Sequence, residues 1–256
     1  MIKKQIKNQI AILILDRPEK YHSFVKEMAL DLQIKLDECK NDENIRCILI
    51  TGSGKAFCAG QDLSEAIDEN GPGLKKIVEK HYNPIIRKIR NIEKPIIAAV
   101  NGVAAGAGAS IALCCDIVVA KKSAVFVQAF SKIGLIPDSA ATFFLPRLVG
   151  LQKATGLMMT ADPISADDAY KIGMIYKVYE DNDFESEALK LAEKLSQMPT
   201  KGLGLTKKLL NLSLTNDLDS QLNEELNAQI IAGNTNDYNE GVSAFLEKRK
   251  PNFKGN

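Results

Sequence analysis

The sequence has few of the residues that build metal sites or disulfide frameworks. Its 256 residues include five cysteines and only two histidines, His22 and His81. The cysteine count is odd, and no two cysteines have the Cys-x-x-Cys spacing of zinc and redox motifs. We therefore expect no metal site and no disulfides, and we interpret the cysteines as reduced, mostly buried thiols.

An excess of charge of either sign is also missing. The chain carries 33 Lys and Arg against 32 Asp and Glu, a formal net charge of +1. A nearly neutral chain has no global field that attracts nucleic acid or an anionic membrane. We expect neither as a partner, so any anion that binds must be held by a local site.

Long apolar runs are absent as well. The run Ile10–Leu15 follows Lys3 and Lys4, as in an export signal, but it ends at Asp16-Arg17-Pro18 without a small-residue cleavage site. No run approaches the roughly 20 apolar residues of a membrane span. We interpret Ile10–Leu15 as part of a core strand and expect a soluble, cytoplasmic protein.

What is present is typical of a globular α/β protein, with 45% hydrophobic and 25% charged residues. Short stretches rich in β-branched residues predict buried strands at Gln9–Leu15, Arg46–Ile50, Pro95–Val100 and Ile117–Ala120. Helical spacing of apolar residues predicts helices at Ser23–Lys40, with Ser23 as N-cap, and at Leu74–Ile92. This alternation favours βαβ units with a largely parallel sheet.

After about residue 183 the sequence pattern predicts helices alone. They are Phe184–Met198, Thr200–Leu214, Leu218–Gly233 and Asn236–Lys248. We divide the chain into a core of residues 1–199 and a helical C-terminal region of residues 200–256. The apolar stripe of that region must pack on the core or on another subunit. No sequence repeat is evident.

Two glycine-rich stretches follow predicted strands, at residues 51–62 and 101–110. Neither has the spacing of a Walker loop or of a dinucleotide fingerprint. Small residues where a strand leads into a helix expose backbone N–H groups, and two such stretches can form an oxyanion hole. Tight packing of helix against sheet explains the same small residues, so the spacing leaves both interpretations open.

Between Ala98 and Arg147 the chain has two acidic residues, Asp116 and Asp138. Asp116 stands where a strand begins and can serve as a cap or in a turn. Asp138 follows Leu135-Ile136-Pro137 and precedes small residues, which suits an N-cap. In apolar surroundings the same carboxylate would have a raised pKa and act as a general base. The two interpretations of Asp138 are equally compatible with the sequence.

Five motifs in this order resemble the crotonase (enoyl-CoA hydratase/isomerase) superfamily: Asp16-Arg17-Pro18, Phe57-Cys-Ala-Gly-Gln-Asp-Leu63, Lys94-Pro95 with Asn101-Gly102, Cys115-Asp116-Ile117, and Gly134-Leu-Ile-Pro-Asp138. The resemblance covers nearly the whole chain. It implies an α/β spiral of β-β-α turns, with a helical C-terminal region that builds trimers, often paired into hexamers. It also implies an acyl-CoA thioester as substrate. Since CoA arrives with the substrate, no metal or redox cofactor is implied.

The resemblance also implies roles for particular residues. The backbone N–H groups of Ala59 and Ala107 would bind the thioester oxygen, and Asp138 would carry the proton. The segment from Ala59 through Gly60 and Gln61 to Asp62 would face CoA. Two further aromatic residues, Phe130 and Tyr82, would either shape the acyl pocket or pack in the core.

Departures from the family pattern narrow the reaction. Hydratases of the family use two glutamates at positions that are Ser110 and Phe130 here. The resemblance then leaves Asp138 as the one acidic residue in a position to transfer a proton. One carboxylate can still move a proton between Cα and Cγ, so we expect a double-bond isomerase. A hydratase, or a non-catalytic homologue that binds acyl-CoA or RNA, is the alternative.

A second set of motifs is Ala59-Gly-Gln-Asp-Leu63, Tyr82-Asn-Pro84, Val103-Ala-Ala-Gly-Ala-Gly-Ala109, Ala129-Phe-Ser-Lys-Ile-Gly-Leu-Ile-Pro-Asp138, Gly202-Leu-Gly-Leu205 and Glu240-Gly-Val-Ser-Ala-Phe245. Together they resemble a subfamily of isomerases that convert ring-1,2-epoxyphenylacetyl-CoA to oxepin-CoA in phenylacetate catabolism and also shift enoyl-CoA double bonds from Δ3 to Δ2. Two positions differ from the family pattern. Ala140-Ala141 replaces a glycine pair, and His22 replaces an asparagine. We expect His22 in a surface loop or at a CoA phosphate.

Overall fold

The structure is a computed structural model that describes residues 1–256. Its ten strands are β1 Ile2–Lys7, β2 Ile10–Leu15, β3 Cys47–Gly52, β4 Ala56–Cys58, β5 Ile96–Val100, β6 Val103–Ala105, β7 Ile117–Lys121, β8 Val125–Val127, β9 Ile164–Ser165 and β10 Lys177–Tyr179. All four predicted strands are found. The strands β4, β6, β8, β9 and β10 were not predicted, because two or three residues carry no readable periodicity. The six-residue edge strand β1 was not predicted either, since its sequence Ile-Lys-Lys-Gln-Ile-Lys is mostly polar.

The twelve α-helices are α1 Lys26–Asn41, α2 Leu63–Ala66, α3 Gly73–Lys76, α4 Asn83–Asn91, α5 Ala107–Cys114, α6 Ala141–Val149, α7 Leu151–Thr160, α8 Ala166–Lys171, α9 Phe184–Ser196, α10 Thr200–Leu212, α11 Leu218–Gly233 and α12 Asn236–Leu246. Short 3₁₀ helices lie at Pro18–Lys20 and Ala129–Ile133, and a π-helical turn at Ile77–Tyr82 joins α3 to α4. The predicted C-terminal helices are confirmed to within two residues at each end.

The strands form two sheets, and the chain alternates between them. One sheet has the order β1-β2-β3-β5-β7-β10 and the other has the order β4-β6-β8-β9. In chain order, β3 and β4, β5 and β6, and β7 and β8 each place one strand in the first sheet and the next in the second. A helical segment follows each pair, which gives three β-β-α turns of a spiral. The repeat is one of structure, and it leaves no visible repeat in the sequence.

The central strands of the first sheet are buried on both faces, whereas most of the edge strand β1 is exposed. Along β3, Ile48 and Ile50 face the main core, whereas Cys47 and Leu49 face a smaller core that α9 covers. A strand covered on both sides has apolar residues in succession rather than in alternation, as this one does. All five cysteines are buried, and burial raises the pKa of the Cys39 thiol to about 11.

Helix α1 begins later than predicted. Val25 occupies its N-cap position, and no side chain caps the helix. Ser23 was therefore the wrong N-cap: its carbonyl and hydroxyl oxygens instead accept hydrogen bonds from the Arg17 guanidinium at 2.9 and 3.1 Å. The local pattern Ser-x-x-Glu is absent there, and the tertiary contact with Arg17 decides the conformation of Ser23.

The first helix of the C-terminal region, α10, is attached to the core by buried charges. Lys207 of α10 forms an ion pair with Asp116 at 2.8 Å, and Arg90 of α4 approaches the same carboxylate at 3.0 Å. Asp116 Oδ2 also accepts a hydrogen bond from Ile96 N–H at 2.8 Å. Asp116 therefore joins α4, α10 and the start of β5, a larger role than the local cap or turn that we expected.

Candidate active site

The two glycine-rich stretches lie in direct contact, because β4 and β6 are neighbouring parallel strands and their carboxyl ends share one edge of the second sheet. A Cβ on Gly60 would lie 3.0 Å from Ala105 O and 3.4 Å from Ala107 N. A Cβ on Gly108 would lie 2.4 Å from Cys58 O. Gly60 also has a φ of +95°, which side-chain-bearing residues rarely adopt. Close approach of the two loops requires both glycines.

The backbone N–H groups of this edge differ in whether they are already used. Ala59 N–H donates to Tyr21 O at 2.9 Å. Ala59 was therefore the wrong choice as an oxyanion donor, since a donor engaged within the fold is not available to a ligand. Gln61 N–H, two residues later, donates to no protein group, and neither does Ala107 N–H. Gln61 N–H and Ala107 N–H, one from each glycine-rich stretch, are therefore available as a pair of donors.

Ala107 is the first residue of α5, and Gly106 precedes it at the N-cap with a φ of +52°. The N–H groups of a first helical turn have no intrahelical acceptor, and the helix dipole adds about half a positive charge at this end. Both effects favour an oxygen that carries negative charge. Because the donor is main chain, an alanine serves here as well as a glycine.

Asp138 lies in the loop between the 3₁₀ helix Ala129–Ile133 and α6. Its carboxylate is half-buried and accepts one hydrogen bond, from Ser139 Oγ at 2.9 Å. Burial raises the pKa of Asp138, and the Ser139 hydroxyl opposes this in part. The N-cap position of α6 belongs to Ala140, and no side chain caps the helix, so the N-cap interpretation of Asp138 is wrong.

A cavity of about 220 Å³ brings these groups together. Seven of the eight predicted site residues line it: Ala59, Gly60, Gln61, Tyr82, Ala107, Phe130 and Asp138. The sequence analysis missed the rest of the lining, which is Leu63, Ala66, Leu74, Ile77, Val78, Gly106, Ala129, Lys132, Ile133 and Leu135. Helical spacing places Leu74, Ile77 and Val78 on one helix, but nothing in the sequence indicates which cavity that helix borders.

Asp62 does not line this cavity. Its carboxylate is buried against Arg17 at 2.7 Å and accepts a hydrogen bond from Ser64 N–H at the start of α2. Burial acts to raise the pKa of Asp62, but Arg17 and the Ser64 N–H outweigh it and hold the pKa below the usual range. Asp62 is thus held within the fold by Arg17 and Ser64, and the CoA contact that the resemblance implied stays a prediction.

His22 is buried, and the expectation of a surface loop or a phosphate contact was wrong. Arg17 N–H donates to His22 Nδ1 at 2.9 Å, and His22 Nε2 lies 2.7 Å from Ser53 O. Both ring nitrogens are therefore occupied within the fold. With Nδ1 as acceptor, Nε2 carries the proton of a neutral ring.

The two positions where hydratases of the family carry glutamates hold groups that cannot transfer a proton as a carboxylate does. Ser110 is buried in α5, and its hydroxyl donates to Gly106 O at 3.1 Å. The Phe130 ring lies against the Gly106 backbone and borders the cavity while packing in the main core. Phe130 thus packs in the core and borders the cavity at the same time, and its role in shaping an acyl pocket stays a prediction.

The family pattern has a glycine pair where this chain has Ala140-Ala141, and the backbone conformation gives a local reason for glycine at the first of these positions only. Ala140 has a φ of +62° and Ser139 a φ of +54°, so two successive residues with side chains occupy the left-handed region. Glycine adopts this conformation without steric cost. Neither Ala140 nor Ala141 lines the cavity, so their methyl groups do not narrow it directly.

Comparison with known proteins identifies the class to which this fold and site belong. The family model for enoyl-CoA hydratase/isomerase matches residues 5–256. The chain belongs to this family, the crotonase superfamily. It is 48% identical over 257 residues to the 1,2-epoxyphenylacetyl-CoA isomerase of Escherichia coli (strain K12), with 99% of this chain and 98% of that protein covered.

Other relatives are named for a different reaction, the hydration of enoyl-CoA. A Rhodobacter capsulatus protein named “Probable enoyl-CoA hydratase” is 40% identical over 99% of this chain and 98% of its own length. The crystal structure of an enoyl-CoA hydratase from Bacillus anthracis superimposes with a TM-score of 0.93 at 31% identity, covering 100% of this chain and 99% of that one. Family membership therefore establishes an acyl-CoA enzyme, and the type of reaction depends on the residues of the site.

No group of three or more His, Cys, Asp or Glu side chains is arranged to hold a metal ion. None of the helices combines the length and the apolar character needed to cross a membrane.

Proposed function

We propose that this protein is an acyl-CoA isomerase that moves a carbon–carbon double bond by carrying one proton along the acyl chain. The observation that carries the proposal is that Asp138 is the one carboxylate in the lining of an apolar cavity that also holds two available N–H donors. The pKa of Asp138 is raised by burial, which strengthens the carboxylate as a base.

In the proposed reaction the thioester carbonyl oxygen accepts hydrogen bonds from Gln61 N–H and Ala107 N–H. Asp138 takes a proton from Cα, and the electron pair of the broken C–H bond passes into the carbonyl, giving an enolate with its charge on that oxygen. The protonated Asp138 then returns the proton to Cγ, and the double bond moves into conjugation. Two N–H donors aimed at a developing oxyanion typically contribute about 10²–10³ in rate each.

Hydration would need more groups than this cavity supplies. Adding water requires one group to activate the water and a second to protonate carbon. In the family two glutamates do this, and Ser110 and Phe130 replace them here. A hydratase that uses Asp138 with another group is the second candidate, and the relatives named hydratases favour testing it. A binding-only homologue is the third.

For the acyl group we propose a ring-1,2-epoxyphenylacetyl thioester, a linear 3-enoyl thioester, or both. The Escherichia coli relative is named for the ring epoxide. Both substrates present an acidic Cα–H and a Cγ two bonds away, so one carboxylate can carry the proton in either. In the ring epoxide the bond between the two epoxide carbons must also break as the ring expands to the oxepin. The mostly apolar lining suits an aromatic ring or an alkyl chain and offers Lys132 as its only cationic group. We propose that the reaction uses no metal or redox cofactor.

We also propose that the enzyme is a trimer or a dimer of trimers. Helix α11 presents exposed leucine and isoleucine side chains at every fourth position, namely Leu218, Leu222, Leu226 and Ile230. Residues four apart lie on one face of a helix, so these side chains form a continuous apolar stripe. An exposed stripe of this kind supports burial against another subunit.

The test compares wild type with Asp138→Asn on a 3-enoyl-CoA in D₂O, with NMR to follow exchange at Cα and ultraviolet absorbance to follow conjugation. We expect conversion to the 2-enoyl thioester by wild type and a loss of roughly 10²–10⁴-fold in Asp138→Asn. The melting temperature of the variant should not fall at pH 7, because the raised pKa means that the ionised carboxylate destabilises the fold above its pKa.

Each alternative has its own signature in the same experiment. Loss of crotonyl-CoA absorbance on incubation would identify a hydratase. Absence of both isomerisation and exchange in wild type would identify a binding-only protein. Isomerisation by Asp138→Asn at the wild-type rate would show that another group is the base.

A further inference from the structure

The Gln61 side chain is held at both ends of its amide. Gln61 Oε1 accepts a hydrogen bond from the Tyr82 hydroxyl at 2.9 Å. Gln61 Nε2 donates to Glu65 Oε2 at 2.8 Å. Fixing a glutamine side chain, which has three rotatable bonds, costs conformational entropy, and the two hydrogen bonds offset that cost. The two contacts therefore restrain the residue as a whole.

The backbone on either side of Gln61 is fixed as well. Phe24 N–H donates to Gly60 O at 2.6 Å, and Asp62 N–H donates to Phe24 O at 2.9 Å. These two bonds pair Gln61 with Phe24 as an isolated β-bridge. The ring of Tyr82 packs edge-on against the Phe24 ring, with centroids 5.8 Å apart. Tyr82 thus contacts the bridge through its ring and the Gln61 side chain through its hydroxyl.

Glu65 connects the same glutamine to another part of the fold. Its second carboxylate oxygen, Oε1, accepts a hydrogen bond from Lys26 N–H at 2.8 Å, at the first turn of α1. A carboxylate at a helix N-terminus is stabilised there by the unpaired N–H groups and the helix dipole. Glu65 is therefore itself held in place, and it transmits that restraint to Gln61.

The position of Tyr82 depends on the π-helical turn Ile77–Tyr82, and the sequence accounts for that turn. Pro84 has no N–H to donate to Lys80 O, four residues earlier. Gln33 Nε2 donates instead to Lys80 O and to His81 O, at 2.8 and 3.0 Å. Asn83 N–H reaches back five residues to Val78 O, as in a π-helix. The turn rotates the helix so that Tyr82 points into the core beside the cavity.

We propose that Tyr82 and Glu65 are positioning residues, which hold the Gln61 backbone N–H at the thioester oxygen. They do so through their hydrogen bonds to the oxygen and the nitrogen of the Gln61 side-chain amide. This inference rests on the proposed function, because it assigns the Gln61 N–H to the oxyanion. It differs from a role in shaping the acyl pocket, since the effect is carried by one hydroxyl and one hydrogen bond. Misplacement of a catalytic group by about 1 Å can cost roughly 10²-fold in rate.

The test removes the hydroxyl alone, in Tyr82→Phe. The ring remains against Phe24, and Gln61 Oε1 loses its hydrogen bond while Gln61 Nε2 keeps its bonds to Glu65 and to Asp62 O. With a 3-enoyl-CoA we expect kcat to fall about 10-fold or more while KM changes less than about twofold, because the oxyanion contact strengthens in the transition state. Phenylacetyl-CoA has an acidic Cα–H, but the double bonds of its aromatic ring do not move, so it reports proton exchange alone. Its rate of Cα–H exchange in D₂O should fall by the same factor.

Two further variants make the result specific. Gln61→Leu keeps the backbone N–H but removes the side-chain amide oxygen that accepts the hydrogen bond from Tyr82. Without that acceptor the Tyr82 hydroxyl has no further effect, so the double variant Tyr82→Phe with Gln61→Leu should be no slower than Gln61→Leu alone. If Tyr82→Phe proves unstable, the kcat and KM of Gln61→Leu with the same 3-enoyl-CoA are measured in its place. The matched control is Tyr179→Phe, which removes the hydroxyl of a buried tyrosine in the smaller core and should keep wild-type kinetics.

The possible failures are distinguishable. A wild-type protein without isomerisation or exchange contradicts the proposed function. An active wild type with unchanged kcat in Tyr82→Phe, or with an effect on KM alone, overturns the positioning role and leaves the proposed function standing. Additive losses in the double variant also overturn it.

Discussion

Asp116 and Asp138 are separated by 22 positions in the chain and are both half-buried, yet their surroundings differ. Asp116 is paired with Arg90 and Lys207 and accepts a backbone N–H, whereas Asp138 has the Ser139 hydroxyl as its one partner. The same contrast extends to nearby groups. At the contact of α10 with the core the charged groups are paired, while in the cavity the Gln61 and Ala107 N–H groups are left without protein acceptors.

The difference separates stability from activity. Pairing a charge recovers part of the free energy lost when it leaves water, so the groups around Asp116 hold α10 on the core. Groups left unpaired beside a cavity cost stability, and a ligand of the matching chemistry recovers that cost on binding. We therefore expect substitutions at the first region to change the free energy of unfolding and those at the second to change kcat.

The largest effect should come from removing one N–H donor of the cavity. Ala107→Pro deletes that N–H at the first position of α5, where proline is well tolerated in helices. We expect kcat/KM to fall about 10²–10³-fold with the fold retained. Steady-state kinetics and circular dichroism provide the measurements. Ala107→Gly, which keeps the N–H, is the control and should stay within a few-fold of wild type; equal losses in both variants would contradict the assignment of this donor.

The next effect concerns the paired carboxylate. Asp116→Asn leaves Lys207 and Arg90 without their common partner, and we expect a loss of about 2 kcal/mol in the free energy of unfolding, less than for a fully buried pair. Activity per folded molecule should be unchanged, because Asp116 does not border the cavity. Urea denaturation measures the loss. Adding Lys207→Met should recover part of it, and wild-type stability in Asp116→Asn alone would remove the basis of the comparison.

The smallest effect should be a shift in pH dependence. Asp138 must be ionised to accept a proton, so activity should be lost as pH falls through its raised pKa. The Ser139 hydroxyl stabilises the ionised form, and Ser139→Ala should therefore raise that pKa further and move the acid limb of the kcat/KM profile to higher pH. Ser139→Gly, which suits the positive φ, should shift the limb equally. A shift in one variant only would point to the backbone instead of the hydroxyl.

Much of the first sheet and of the C-terminal helices could be predicted from the sequence, because strands such as β2 and β5 are continuous apolar runs with clear boundaries and helices such as α11 are long enough to show a helical period. The second sheet could not, since its strands are two or three residues long and are defined by pairing with one another. The π-helical turn has the same origin: Pro84 is visible in the sequence, but Gln33, which takes up the freed carbonyl, comes from another helix.

The candidate site shows the same division. Asp138, Ala107 and the two glycine-rich stretches stand out in the sequence, and the structure places them at one cavity. The choice between Ala59 and Gln61 as donor could not be made from the sequence, since it depends on a hydrogen bond from Ala59 to Tyr21, 38 positions earlier. The buried positions of His22 and Asp62 likewise depend on Arg17, a partner that spacing does not reveal.

The sequence by itself determined the residue types available for chemistry: a lone acid after Leu135-Ile136-Pro137, small residues where strands lead into helices, and no carboxylates at positions 110 and 130. The tertiary structure alone decided which of these groups are used within the fold and which remain available. The physical reason is that hydrogen bonds and burial are properties of groups brought together from distant parts of the chain, and only folding establishes which partners each group has.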